Sequence, residues 1–486
     1  MSTHSFSRFA AASLLAGAFS LSACAAPDLG LRPQMTVPST LASAQSIDAT
    51  AAAQAWPDDR WWTAYGDPQL DTLVQEALAG SPSVALAQAR IRQARGAAQA
   101  AGAALLPSVG GEASGGWTKQ SYNNGIPSAF VPKGWKSTGT LALSGDFDLD
   151  LWGKNRKALA AATSEAEAAV ADARQAELML SSNVVSSYFD LARLIARGKA
   201  LDEASKARAE MADLFGKRAE HGLESDAPLR RAQAAAASAR AAVSANDEQI
   251  LLRRHALAAL LGAGPDRGLA ITPPALASVP ETGVPANAGI ALAGRRPDIV
   301  AARLRAEAAA SRIDVARAEF LPDISLRGLI GLTSLGISNL IDSGSTYGNA
   351  GAALSLPIFQ GGRLKGNFTQ ARGGYDAAVA NYNETVVGAL QEVADTLASR
   401  EAAAVQEREA SEAASTSVAA HDLAMKRYHG GLSNYLEALD AQTAALQARE
   451  TAVDAHFRTL ALEVALQRAL GGRFADNFSE KAPDNE

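Results

Sequence analysis

One cysteine, Cys24, stands in 486 residues, so no internal disulfide holds this chain together. Aromatic residues are scarce, at 6% of a chain that is 48% hydrophobic. Much of the apolar share is alanine, which suits closely packed helices better than a large mixed core. Positive charge has no surplus either: the net charge of −6 and the pI near 5.7 leave nothing to neutralise phosphate backbones, and nucleic acid is excluded as a partner. His221, His255, His421, His429 and His456 are scattered, with no metal-ligand pair at helical spacing. The glycine-rich stretch Gly262-Ala263-Gly264-Pro265 lacks the Gly-Lys-Ser/Thr that completes a phosphate cradle, and no nucleophile elbow or His-Glu zinc motif occurs. No catalytic residue, metal site or bound cofactor is expected, and the chain does not read as an enzyme.

The N-terminus supplies an address. Residues 1–23 carry His4 and Arg8, then an apolar run from Phe9 to Leu21 that is too short to remain as a membrane helix and reads as an export signal. It ends in Leu21-Ser22-Ala23-Cys24, which resembles a bacterial lipobox and makes Cys24 the expected mature N-terminus, bearing a diacylglyceryl group and an N-acyl chain. Position 25 is Ala and not the Asp that retains lipoproteins at the inner membrane, so the outer membrane, with its lipid, is the expected destination. Residues 24–55, rich in Ala, Ser, Thr and Pro, read as a tether.

The rest is a duplication. Lys217, Arg218, Gly222, Leu223, Gln233 and Arg240 match Lys426, Arg427, Gly431, Leu432, Gln442 and Arg449 without a gap. Pro82, Val84, Ala87, Arg90, Leu106 and Pro107 likewise match Pro297, Ile299, Ala302, Arg305, Leu321 and Pro322. The first repeat is expected over 56–271 and the second over 297–472, joined by a proline-rich linker, 272–296, and followed by a tail, 473–486. In each copy a long Pro-free helical segment runs into a glycine turn, 221–226 or 429–434, and a shorter one leaves it. Lys154 to Glu220 would extend on the order of 100 Å as one helix. Gly222 and Gly431 supply the backbone freedom of a helix end; Ser225 and Asp226, or Ser433 and Asn434, offer N-caps; Glu437 is placed to complete a capping box. The Trp61 to Leu78 region predicts one short helix packed on something larger.

Between those helical segments lie two hairpins, 107–152 and 322–359. From Thr138 to Leu151, residues 139, 141, 143, 147, 149 and 151 are Gly, Leu, Leu, Phe, Leu and Leu, whereas 146, 148 and 150 are all Asp. Val109 to Trp117, Ile324 to Leu332 and Ala350 to Ile358 alternate in the same way. Each arm is as long as the 9–11 residues that a tilted strand needs to cross a bilayer, and Trp117, Trp135, Trp152 and Phe359 are the interface aromatics. A soluble antiparallel sheet is the alternative, but no other strand-like segment is left to cover its apolar faces. Four strands cannot close a barrel alone, so strands that span a membrane require an oligomer. The fold class is mainly α with a small β part.

Taken in order, Arg60-Trp61-Trp62, Gly66-Asp67-Pro68-Gln69-Leu70, Arg295-Arg296-Pro297-Asp298, Leu321-Pro322, Leu356-Pro357-Ile358-Phe359-Gln360-Gly361-Gly362 and Arg427-Tyr428 through Leu439-Asp440-Ala441-Gln442 resemble the TolC-type outer-membrane factors, in particular their NodT-type lipoprotein branch. The resemblance implies a homotrimer whose chains share a 12-stranded barrel continuous with a periplasmic α-helical tunnel. It further implies a passive exit duct served by a periplasmic membrane-fusion adaptor and an inner-membrane pump of the RND type. It puts the glycine turns at a periplasmic aperture, constricted by Leu436 and Asp440, with Glu437, Tyr428 and Asp226 as further members. Pro228 stands where the family commonly has Asp, which puts any latch built on that carboxylate in doubt. A non-conducting, lipid-anchored coiled-coil scaffold and the exit duct of type I protein secretion are the alternatives. The absence of a Met or His cluster in the sequence disfavours a dedicated copper duct.

Overall fold

The computed structural model describes residues 27–47, 56–223, 225–276, 283–285, 288–476 and 478. The signal segment, Cys24 and all but a few residues of the expected tail lie outside them. The principal elements, in order, are α1 (Pro68–Gly80), α2 (Pro82–Ala103), β1 (Ser108–Thr118), β2 (Lys136–Asp148), α3 (Lys154–Glu220), α4 (Asp226–Leu260), α5 (Ala288–Arg295), α6 (Pro297–Ala318), β3 (Asp323–Leu335), β4 (Thr346–Ser355), α7 (Arg363–His429) and α8 (Tyr435–Ala469). Chain contacts divide them into two compact units.

One unit comprises described residues of Met1–Gln34, Ile91–Ala168 and Ala302–Asn381 and holds an antiparallel sheet in the order β1-β2-β3-β4. Its register puts the apolar residues of all four strands on one face: Val109 opposes Gly145, Leu143 opposes Ile330, and Ile324 opposes Leu354. Leu143, Ile330 and Leu354 are more than half exposed, so this face has no cover among the described residues. The opposite face carries Thr140 against Thr333 and an ion pair of Asp146 with Arg327 at 3.1 Å, each between cross-strand neighbours. Beside the sheet, Ile313 and Phe320 pack on Leu364 and Phe368.

Two strand ends fall short of expectation. β2 stops at Asp148 because Asp150 adopts φ 46° and turns its carboxylate onto the backbone N–H groups of Asn155 (2.8 Å) and Arg156 (3.0 Å), fastening the start of α3. β4 begins earlier than the alternation suggests and ends at Ser355; Pro357 has no N–H for a ladder, so Leu356 and Ile358 lie beyond the strand.

The second unit, described residues of Met35–Arg90, Ala169–Ala301 and Tyr382–Glu486, contains the largest core. Trp61, Trp62, Tyr65, Leu70 and Leu73 pack on Val184, Tyr188 and Phe189 of α3, Leu257 of α4 and Leu460 and Val464 of α8. The expected single helix here is two elements, a 3-10 turn Trp61–Tyr65 and α1. Gly66 (φ 70°) ends the first, and Asp67, followed by Pro68, caps the second through the Gln69 N–H at 2.9 Å. The Asp67 carboxylate also accepts from Tyr188 Oη (2.6 Å) and Ala275 N (2.9 Å), while Gln69 exchanges hydrogen bonds with the Thr272 backbone. Burial, reinforced by the Asp67 carboxylate, pushes the Tyr188 hydroxyl above the ordinary tyrosine range. The Gly-Asp-Pro-Gln motif is thus the fastening of the linker's first residues. Within 272–296 the described residues include α5, a helix not read from the sequence.

At the other end of that linker Arg296 is nearly buried. Its guanidinium binds Asp298 through two nitrogens (2.7 and 3.1 Å), Glu392 of α7 (2.7 Å) and the Ala469 carbonyl that ends α8 (2.9 Å). Helices α4 and α8 both terminate on a Leu-Gly pair with glycine in the left-handed region, Gly262 at φ 74° and Gly471 at φ 82°. A Cβ on Gly262 would strike the Gly80 carbonyl oxygen, and one on Gly471 the Arg295 carbonyl oxygen.

Candidate functional site

The turns that follow α3 and α7 lie in the second unit and have one design. Gly222 (φ 68°) donates to the Ala219 carbonyl and Leu223 to that of Arg218; Gly431 (φ 71°) donates to Tyr428 and Leu432 to Arg427. This is the Schellman arrangement, which satisfies the last carbonyls of each helix and requires a residue at ease with positive φ. Asn434 caps α8 by accepting from the Glu437 N–H at 3.0 Å. Ser225 occupies the corresponding position of α4 but makes no side-chain cap.

Glu437 does not close the capping box. Its carboxylate reaches across the turn to Arg427 at 3.3 Å, because a cation at the C-terminal end of α7 is a stronger attraction than a backbone N–H at this distance. Leu436 and Asp440, one turn apart on α8, are both exposed, and Ala438 is the buried residue of that segment. Asp226 is exposed in the first turn of α4 and is bonded to none of the other four. Tyr428 is half-buried with its ring 6.0 Å from that of Tyr435, and its hydroxyl, shielded from solvent, has no hydrogen-bond partner among the described residues. Around these positions, then, the fold joins Tyr428 to the residue beside Leu436 and joins Glu437 to the residue beside Tyr428, leaving Asp440 and Asp226 free in solvent.

Two residues of this region were not singled out from the sequence. Phe215, fully buried, meets Tyr435 edge-on at 4.5 Å, so an aromatic cluster of Phe215, Tyr435 and Tyr428 anchors the end of the hairpin. Burial pushes the Tyr435 hydroxyl above its ordinary range, against the pull of Arg208. The only sequence signal for it is the recurrence of aromatics within one turn of Gly431 in a chain otherwise poor in them. Met425, His421 and His429 of α7 line one cavity of about 250 Å³ together with Met211 of α3, some two hundred residues earlier in the chain. Among the described residues no group of three or more His, Cys, Asp or Glu side chains is arranged to hold a metal ion, and no helix is long and apolar enough to cross a membrane.

A family model described as outer membrane efflux protein matches residues 73–263 and 291–472. The chain belongs to the outer membrane efflux protein family. The crystal structure of the outer membrane protein VceC from Vibrio cholerae superposes with a TM-score of 0.81 at 41% identity, over 86% of this chain and 100% of that one. The multidrug resistance outer membrane protein MdtP of Escherichia coli is 30% identical over 98% of both chains. The fusaric acid resistance protein FusA of Burkholderia cepacia is 38% identical over 344 residues, 68% of this chain and 64% of that protein. As a member, this protein is an outer-membrane efflux channel with a TolC-like, mainly helical fold. The family is one of channels and not a class of enzymes.

Proposed function

We propose that three copies of this chain close one twelve-stranded barrel in the outer membrane. Their helices would then form a periplasmic tunnel, a passive exit duct for small organic molecules handed over by a periplasmic adaptor and an RND-type inner-membrane pump. The observation that carries this reading is the sheet: β1 and β4 each have a neighbour on one side only, and an apolar face shared by all four strands lies uncovered among the described residues. In lipid each unpaired backbone group costs several kcal/mol, so the two edges need a partner, and other copies supply it most simply. The names of MdtP and FusA, relatives tied to multidrug and fusaric acid resistance, support the cargo class. The two stretches matched by the family description support reading the chain as a tandem repeat with its linker between them.

The turns at Gly222 and Gly431 are proposed as the periplasmic tip, with Leu436 and Asp440 narrowing the aperture and Glu437, Tyr428 and Asp226 beside them. One Asp440 per chain around an axis makes a ring of like charges that attracts cations and repels anions. Cys24 is proposed to carry the lipid anchor. Native mass spectrometry of the detergent-extracted protein, followed by single-channel recording in planar bilayers, tests the assembly. Three copies and discrete cation-selective openings are expected. A stable monomer, or an oligomer that stays silent even when Asp440 is removed, overturns it in favour of the scaffold.

A further inference from the structure

The cavity shared by α3, α7 and α8 collects two of the five methionines and two of the six histidines in the chain, Met211, Met425, His421 and His429. His421 and Met425 are four apart on α7 and so face the same way, while Met211 enters from α3. The imidazole of His421 is divided between two environments. Its Nδ1 lies 3.4 Å from the Asp422 carboxylate, whereas its Nε2 is shut off from solvent and meets no hydrogen-bond partner among the described residues. Nε2 is thus left unpartnered in a cavity that two thioethers also line. A carboxylate behind one ring nitrogen and no partner at the other is the arrangement in which a histidine is prepared to bind a metal.

We propose that each chain binds one soft monovalent cation, Cu⁺ or Ag⁺, through His421 Nε2 and the sulfurs of Met425 and Met211. Thioethers select this class: they bind soft d¹⁰ ions and are poor ligands for Mg²⁺, Ca²⁺ or Mn²⁺, and low coordination numbers suit a site with three donors. The site uses residues of one chain only, so it does not depend on the trimeric duct proposed above.

The test is metal retained per chain after the full-length, detergent-extracted protein is incubated with Ag⁺, and separately with Zn²⁺, then desalted and analysed by inductively coupled plasma mass spectrometry. One Ag⁺ per chain and no stoichiometric Zn²⁺ are expected. Met425→Leu and Met211→Leu, which preserve volume and helix propensity, should each abolish stoichiometric retention, with the helical circular dichroism unchanged. Asp422→Asn, which leaves all three donors in place but removes the carboxylate behind the ring, should weaken Ag⁺ affinity about 10–100-fold. Wild type that retains no Ag⁺, or methionine variants that retain it as wild type does, overturns the site. Retention of Zn²⁺ in place of Ag⁺ overturns the assignment to a soft ion. A protein that binds Ag⁺ but forms no channel would sink the duct and leave the site standing.

Discussion

Replacing Arg296 by Met removes the fork that ties α6 to α7 and α8 while keeping an unbranched side chain of similar reach. Three acceptors lose their donor: Asp298, Glu392 and the Ala469 carbonyl. Breaking a buried ion pair by deleting one partner costs about 3–5 kcal/mol, since the other charge is left unpaired. The lower end applies, because Asp298 and Glu392 are more than a quarter exposed and Glu392 keeps Arg468 at 2.9 Å. With an unfolding entropy of about 2.1 cal/mol/K per residue, a cooperative chain of this size loses roughly 1 °C per kcal/mol, so a drop of about 3 °C in Tm is expected. Arg296→Lys retains a charge but not the fork, and should fall between the two. Burial opposes the charged guanidinium, yet its bonds to Asp298 and Glu392 outweigh that and hold its pKa above the ordinary arginine value. A raised basic group contributes fully below its unfolded pKa, so this contribution is undiminished at neutral pH. The assay is thermal unfolding of the detergent-solubilised protein by circular dichroism at pH 7. A Met variant that melts within about 0.5 °C of wild type would refute the role of Arg296 as the fastening between these helices.

Gly471→Ala should cost about 2–4 kcal/mol, combining a left-handed backbone with a Cβ that strikes the Arg295 carbonyl. Gly222→Ala, equally left-handed but open on all sides, should cost only about 1–2 kcal/mol, and equal melting temperatures for the two would disprove the contrast. Asp440→Ala combined with Glu437→Ala should enlarge resting conductance and weaken cation selectivity in planar bilayers; unchanged conductance and selectivity would remove both residues from the aperture. Cys24→Ser should abolish metabolic labelling with palmitate, and continued labelling would refute the lipid anchor.

The long helices were legible because their evidence is cumulative: dozens of residues without proline between Lys154 and Glu220, bounded by Gly153 and Gly222, leave little choice. The sheet was legible because period-two alternation survives in each strand, although its ends were not. Asp150 reads as one more acidic residue of the polar face, and only its capping bonds to Asn155 and Arg156 reveal that the strand has already ended. The short helix α5 was hidden by prolines on both sides and by its length, too short for the 3.6-residue period to declare itself. At the turn the glycines and the Asn434 cap were readable from local chemistry. The partner of Glu437 was not, since a box to its own helix and a bridge to Arg427 use the same residues and differ only in three dimensions. The gathering of Met211 with His421 and Met425 was invisible for the same reason: the cavity they line joins segments some two hundred residues apart.

The polar residues that stand out in the sequence fall into two physical kinds. Asp67, Gln69 and Arg296 are surrounded by donors and acceptors that consume nearly all their bonding capacity, and each bond fastens a linker end to a helix. A buried polar group so satisfied specifies a packing arrangement, and its removal leaves orphans behind. Asp440 and Asp226 are exposed and make no hydrogen bond or ion pair with any described residue, so they contribute little to holding the hairpins together. Their charge is therefore available to whatever approaches the turn. Glu437 stands between the two kinds, since its bridge to Arg427 is half-exposed and a surface pair of this sort is worth about 0.2–1 kcal/mol. A contact so weak can be exchanged for another without disturbing the fold, as the aperture proposed here would require. With rigid fastenings around the linker and replaceable ones at the turn, the proposed duct would change conformation at its proposed tip, where the energy needed is smallest.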